Sequence, residues 1–285
     1  LGWTNVGKST LLNRLVGIKL AAVSDVSQTT RNRIMGVLNL PGRGQIVFID
    51  TPGLHRPRFK MNRAMVELSH RAVRGVDLAV LVVDAVRGIG PGDTEGAMLL
   101  QRSNVPAIAV LNKIDILPHK SLLLPMMQTV EEWGFESAFP VSALTGEGCA
   151  ALVDHMLSLL PEGAPLLPED TLTDQPERAL AAEWIREKLL AEVRQELPHA
   201  TAVMVERWQE RQDGLLEIEA VILVERESQK GIVIGKNGEL LKRVGTEARR
   251  VLEAFLGKRV YLRLWATVSR DWRDNDRVLK RLGLA

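Results

Sequence analysis

Cysteine is almost absent. A single residue, Cys149, stands in 285, which excludes an intramolecular disulfide framework and suits a reducing compartment. Beside a helical stretch it reads as a small core residue. Long apolar runs are missing too. The best, Val76 to Val86, contains Asp77 and Asp84 and falls short of the roughly 18–20 uninterrupted apolar residues of a membrane span, so it reads as a buried strand. Charge of one sign is also lacking: the net charge is +2, so any basic surface must be local. There is no internal repeat and no low-complexity tract. What is present, 46% apolar and 25% charged residues, is the composition of an ordinary globular protein able to bury a core. The length suggests about two domains.

Almost nothing precedes the first motif. Residues 1–10 read LGWTNVGKST, and Gly2-Trp3-Thr4-Asn5-Val6-Gly7-Lys8-Ser9 fits G-x-x-x-x-G-K-[ST]. Backbone N–H groups of such a loop surround phosphate oxygens, the lysine reaches the outer phosphates and the serine hydroxyl binds Mg²⁺. The loop works by joining a strand to a helix N-terminus, where free N–H groups and the dipole favour an anion. Ser9 to Leu15, STLLNRL, has the helical spacing; only Leu1 stands where the strand should be. A central strand takes about five or six residues, so the expectation is that the first strand is missing, and nothing about a signal peptide can be read from this end.

Up to about residue 160, β-like runs (Ile34 to Leu40, Gln45 to Ile49, Leu78 to Val83, Ala107 to Leu111, Ser137 to Val141) alternate with helical patterns near Asn62 to Arg74, Asp93 to Arg102, Leu122 to Trp133 and Gly148 to Leu160. This is the signature of an α/β domain with a mostly parallel sheet covered by helices. Residues 161–178, with four prolines, read as a linker. Beyond it the pattern changes to a charged helix (Ala179 to Leu197), two strands (Ala202 to Gln209, Leu216 to Arg226), a helix (Gly238 to Leu256) and a strand (Val260 to Val268). Residues 179–285 are therefore a smaller α+β domain with a C-terminal tail.

Further motifs identify the ligand of the first domain. Asp50-Thr51-Pro52-Gly53 follows the apolar strand QIVFI; its aspartate can hold the Mg²⁺ hydration shell and the Gly53 amide can reach a γ-phosphate, although D-x-x-G alone is also a plain turn. Asn112-Lys113-Ile114-Asp115 follows the next strand but one. Asp115 offers two acceptor oxygens to N1–H and N2–H₂ of guanine, whereas adenine would leave that carboxylate unpaired, a difference of the kind that discriminates by roughly 10⁴–10⁵. The ligand read from these residues is GTP rather than ATP. The Lys113 stem can pack on the base face, Asn112 can tie its loop to the phosphate loop, and the backbone of Ser142-Ala143-Leu144 can meet guanine O6. In Gln28-Thr29-Thr30-Arg31, Thr30 is the choice for a Mg²⁺-binding threonine beside Ser9 and Asp50, with Thr29 as the alternative.

In this order the motifs resemble a translation-factor-class GTPase with a Ras-like domain. That family often has glutamine after D-x-x-G to orient the attacking water; here it is Leu54, so water must be positioned otherwise. Some members with asparagine at the place of Asn5 bind K⁺ beside the phosphates, where a cation could stabilise transition-state charge; the other reading is that Asn5 only shapes the loop. The resemblance puts the catalytic roles on Lys8, Asn5, Thr30 and Gly53 and implies slow intrinsic turnover, of the order of 10⁻⁴–10⁻² s⁻¹.

In the second domain, GIVIGKNGE holds Ile234-Gly235-Lys236-Asn237-Gly238. A G-x-x-G turn between helices after an apolar run resembles the KH fold, in which it clamps single-stranded RNA backbone. From Ser228 to Arg259 there are eight Lys or Arg against three Glu, the footprint of a polyanion site, though Arg249, Arg250 and Arg259 also suit a solvated helix face. Ile234 to Gly238 and Lys242 are the candidate RNA contacts, and the element order is that of type II KH domains, typical of bacteria. One phosphate loop followed by one KH domain, with DTPGLH, QTTR and GIVIGKNGELLKRVG, resembles the Era family of bacterial GTPases over essentially the whole chain. The resemblance implies a monomer using GTP/GDP and Mg²⁺, binding near the 3′ end of small-subunit ribosomal RNA and acting in assembly of that subunit. It also implies a cytoplasmic location, with peripheral attachment to the inner membrane face in some members. Two rival readings are a GTPase that anchors a different RNA-processing partner, and an RNA-binding module whose GTP site is largely structural, which Leu54 keeps open. A P-loop kinase or ATPase is disfavoured by NKID.

Overall fold

Apolar runs bounded by turn residues become strands wherever helices can cover them, and the first part of the chain alternates the two throughout. The computed structural model describes residues 1–24, 26, 29–54, 59–194 and 197–284; Gln28 of the QTTR stretch and His55 of DTPGLH lie outside them. By contacts the chain divides into one unit of residues 1–21, 30–58 and 62–174, and a second of residues 22–29, 59–61 and 175–285.

In the first unit, α1 (Lys8–Val16) is followed by strands β1 (Ile34–Leu40) and β2 (Gly44–Asp50), α2 (Lys60–Ala72), β3 (Ala79–Asp84), α3 (Pro91–Gln101), β4 (Ala107–Asn112), α4 (Leu123–Glu132), β5 (Ser137–Pro140) and α5 (Cys149–Leu159). Among the described residues the strands form two pieces, an antiparallel β1–β2 hairpin and a parallel sheet ordered β3-β4-β5. Residues 1–3 lie between the pieces: Val82 N–H donates to the Leu1 carbonyl at 2.9 Å and Leu54 N–H to the Gly2 carbonyl at 3.2 Å. Every residue of β4 is buried, as expected of a central parallel strand covered on both faces. A mostly apolar cavity of about 880 Å³ opens between β2 and β3, with Lys8 and Asp50 at its border.

The proline-bearing stretch is not a free tether along its whole length. Leu172 accepts from Val37 N–H at 2.9 Å, the Thr173 hydroxyl donates to the Met35 carbonyl at 2.6 Å, and Gln45 exchanges two hydrogen bonds with the Leu167 backbone. Proline lacks a donor, but the exposed edge of β1 and the amides of Asn39 and Gln45 supply the partners instead. The contact boundary accordingly falls after Asp174, inside the stretch read as linker over 161–178.

The second unit runs α6 (Glu177–Glu192), α7 (Leu197–Ala200), β6 (Ala202–Glu210), β7 (Leu216–Val224), α8 (Glu227–Ile234), α9 (Glu239–Leu256), β8 (Val260–Val268) and α10 (Asp276–Arg281). Its sheet is ordered β6-β7-β8, with β6–β7 antiparallel and β7–β8 parallel. Helix, two strands, two helices and a parallel strand is the type II KH order. Ile185 and Leu189 of α6, Val244 and Ala248 of α9 and Ile222 of β7 share its core. The tail is folded on as well: Trp272 is fully buried and its indole N–H donates to the Ala200 carbonyl at 3.0 Å. Among the described residues no helix is long and apolar enough to cross a membrane.

Candidate nucleotide site and RNA-facing loop

Three of the motifs start at or just after the carboxyl ends of β2, β4 and β5, and α1 starts directly after the phosphate loop. Gly7 precedes α1 with φ 96°, a left-handed conformation, and a β-carbon there would lie 2.2 Å from Asn112 Nδ2. Only glycine fits. Asn112, itself buried, holds two loops: its Nδ2 donates to the Val6 carbonyl at 2.8 Å and its Oδ1 accepts from Ala143 N–H at 2.9 Å. Asn5 is exposed with φ 62°, and Thr10 lies in the first turn of α1.

Ser9, Thr30 and Asp50 meet. The Ser9 hydroxyl donates to Asp50 Oδ2 at 2.7 Å and lies 2.7 Å from the Thr30 hydroxyl. Thr29 does not join them; its hydroxyl donates to the Val26 carbonyl at 2.7 Å. Three oxygens clustered within hydrogen-bond distance suit a hard cation such as Mg²⁺. Lys8 Nζ donates to the Gly2 and Trp3 carbonyls at 3.1 and 2.7 Å. Burial lowers its pKa to about 8, against the attraction of Asp50 and Asp93; burial likewise raises that of Asp50, against Lys8 and the Ser9 hydrogen bond. A β-carbon on Gly53 would stand 3.2 Å from Lys8 Nζ, so the DTPG turn closes directly on the phosphate loop.

On the base side, Lys113 has φ 71° and Asp115 is exposed in the short turn after it. The buried Ser142 hydroxyl accepts from Thr145 N–H at 3.0 Å. Two residues that the motifs do not include complete the loops. Arg14 donates to the carbonyls of Ala143 and Leu144, and Asp84 Oδ2 accepts from Lys113 Nζ at 2.7 Å. The signal for Asp84 was available, because it closes an apolar strand just as Asp50 does; Arg14 carries none beyond its place in the last turn of α1.

In the second unit, Gly235 (φ 75°), Asn237 (φ 53°) and Gly238 (φ 77°) form a tight turn between α8 and α9. No heavy atom lies within 4 Å of where a Gly238 β-carbon would stand. Lys236 and Lys242 are exposed, whereas Arg243 and Arg250 are paired with Glu192 and Glu247. Ile234 packs against the domain core, and Ile232 is the apolar residue turned outward, 52% exposed.

A family model described as 50S ribosome-binding GTPase matches residues 1–113, and a KH domain model matches residues 196–273. GTPase Era of Geotalea uraniireducens (strain Rf4) is 47% identical over 285 residues, covering 99% of this chain and 95% of that protein. The chain belongs to the Era family of GTPases. GTPase Era of Caldanaerobacter subterraneus is 43% identical over 286 residues, covering 100% of this chain and 96% of its own length. Among solved structures, a single-substitution variant of Aquifex aeolicus Era bound to GDP·AlF4⁻ has a TM-score of 0.97 at 40% identity, covering 100% of this chain and 97% of that one. Era in complex with MgGDPNP and nucleotides 1506–1542 of 16S ribosomal RNA matches with the same score and identity, covering 100% and 96%.

As an Era-family GTPase the chain hydrolyses GTP, with a Ras-like domain followed by a KH domain. Leu54 sharpens the question of how. It is buried, and its N–H is engaged by Gly2, so the position that carries a water-orienting glutamine in other GTPases belongs here to the core.

Proposed function

We propose that this Era-family protein binds the 3′ end of small-subunit ribosomal RNA through its KH loop and acts in maturation of that subunit, with GTP hydrolysis as its switch. The reading rests on an open, glycine-built GKNG turn that carries Lys236 and is followed by Lys242, in the same chain as a phosphate loop and an NKID motif, and on the Era relative solved with nucleotides 1506–1542 of 16S ribosomal RNA. Glycine lets a sugar-phosphate backbone approach closely, and the lysines neutralise it. The outward Ile232 would meet bases, while Ile234 supports the turn from within.

In the nucleotide site, Lys8 and the N–H groups of residues 5–10 take the phosphates, and the Gly53 amide faces the γ-phosphate. Asp115 selects guanine, Lys113 covers its face, and Ala143 or Leu144 N–H meets O6. Ser9, Thr30 and Asp50 fit Mg²⁺, which supplies charge neutralisation at the phosphate oxygens when bound. Because Leu54 is a core residue, a K⁺ ion beside Asn5 is assigned the remaining transition-state stabilisation. The same proposal has the chain act as a cytoplasmic monomer with peripheral attachment to the inner membrane face, which size-exclusion chromatography and vesicle flotation test. The RNA assignment is tested by crosslinking in cells expressing the full chain. Crosslinks should map to the last few tens of nucleotides of the small-subunit RNA, and a maximum in any other transcript overturns it.

A further inference from the structure

Strands β3 and β4 run parallel with Asp84 opposite Asn112, and Ala85 N–H donates to the Asn112 carbonyl at 2.9 Å. Asp84 therefore ends one strand where Lys113 leaves the other. Lys113 takes φ 71° and ψ 33°, a left-handed conformation that an L side chain adopts only at a cost. Its ammonium lies 2.7 Å from Asp84 Oδ2, with the two side chains 32% and 14% exposed. The other carboxylate oxygen, Oδ1, accepts from the N–H groups of Val86 and Arg87 at 3.0 and 3.3 Å. The carboxylate is thus fixed by the backbone on one side and grips the lysine with the other.

We infer that Asp84 is a positioning residue for nucleotide binding: it anchors the tip of Lys113 so that the four-carbon stem is held in one conformation before the base arrives. This rests on the reading of Lys113 as the cover of the guanine face. An unanchored lysine stem samples many rotamers and loses that freedom on binding; an anchored one has lost it already, so affinity improves without any new contact to the ligand. The effect is the same for GTP and GDP and for ground and transition states. It belongs in nucleotide release and KM rather than in kcat. Base selectivity is left to Asp115.

The test uses the full chain with a ribose-labelled fluorescent GDP for release and GTP for steady-state hydrolysis. Asp84→Asn keeps an acceptor for the two backbone N–H groups and removes the anionic grip; Asp84→Ser, whose hydroxyl can serve the same N–H groups, replaces it should the first not fold. Release should accelerate and KM should rise by about tenfold, with kcat changing by less than about twofold. Lys113→Met should do the same, and the double variant should be no worse than either single one, since both break one contact. The ratio of GTP to XTP affinity should not move. If Lys113→Met accelerates release and the Asp84 variants do not, or if the two effects add in the double variant, the positioning role is wrong while the base-face reading stands. If none of the variants changes release, the reading of Lys113 fails and the inference with it.

Discussion

The hydroxyl oxygens of Ser9 and Thr30 lie 2.7 Å apart although 21 residues separate them in the chain. Both hydroxyls also reach Asp50 Oδ2, Ser9 at 2.7 Å and Thr30 at 3.5 Å, so the three oxygens form one cluster. Ser9→Ala should therefore abolish productive MgGTP binding. Thr30→Ala should retain GDP binding and lower Mg²⁺ affinity in the GTP form by about 10–100-fold, read from Mg²⁺ titrations of hydrolysis. Normal Mg²⁺ dependence in both variants would show that these oxygens hold no metal.

Asp115→Asn exchanges two acceptors for one acceptor and one donor, a pattern that matches xanthine better than guanine. GTP affinity should drop by at least about 10²-fold while XTP affinity rises. Competition of the two nucleotides against a fluorescent GDP measures this; unchanged selectivity would remove Asp115 as the base reader.

How much of this was legible beforehand follows from what each feature depends on. Strands β1 to β5 are apolar runs ended by turn residues, so pattern alone placed them to within about a residue or two. The motifs at their ends came with them. Asp84 was legible as the polar end of an apolar strand, but its partner was not, because the contact depends on the left-handed backbone of Lys113, which spacing does not encode. Helix α8, eight residues long, is too short for periodicity to announce and is expected only because the G-x-x-G turn reads as lying between two helices. Residues 167–174 looked like linker because they lie in a stretch, 161–178, with four prolines and no usable periodicity, while the hydrogen-bonding groups that hold them belong to Asn39, Gln45 and β1, more than a hundred residues away.

With Lys8 on the phosphates as proposed, nucleotide binding should be pH-dependent. Burial holds its pKa near 8 against an ordinary value of 10.5. Bound phosphate favours the charged form and raises it again, so binding takes up a proton where the free protein has lost one. GTP affinity should fall as pH rises above about 8, by at most about tenfold per unit. Without nucleotide the sign is opposite for stability: from about 8 to 10.5 the unfolded chain binds more protons than the folded one, so stability rises with pH. Calorimetry in buffers of different ionisation heat, at about pH 6.5 and about pH 8.5, should show proton uptake only at the higher value. Equal uptake at both would mean that Lys8 keeps its proton throughout.

With Leu54 buried, the proposed cation beside Asn5 would have a catalytic role to fill. K⁺ should accelerate hydrolysis over Na⁺ at equal ionic strength by about tenfold or more, and Asn5→Ala should abolish the difference while GDP affinity stays near that of the unaltered chain. Equal rates in the two salts would reduce Asn5 to a residue that shapes the loop.

A substitution at Gly238 should separate the proposed RNA function from the GTP site. The position is left-handed and open, with φ 77° and no heavy atom within 4 Å of a new β-carbon. Aspartate tolerates that conformation better than most residues, so Gly238→Asp should fold, which circular dichroism checks. Its carboxylate would stand where the RNA phosphate comes closest, adding repulsion and bulk at once. Affinity for an oligonucleotide of the 3′ end of small-subunit RNA should fall by more than the roughly 1–3 kcal/mol of losing one stacked base. Lys236→Ala should weaken binding less and reduce its salt dependence by about one counterion. GTP hydrolysis without RNA should be unchanged in both, because the residues assigned to it come before residue 145, outside the unit that holds the loop. Wild-type RNA affinity in a folded Gly238→Asp variant would make the GKNG segment only a turn, and the RNA would have to be held elsewhere on the protein.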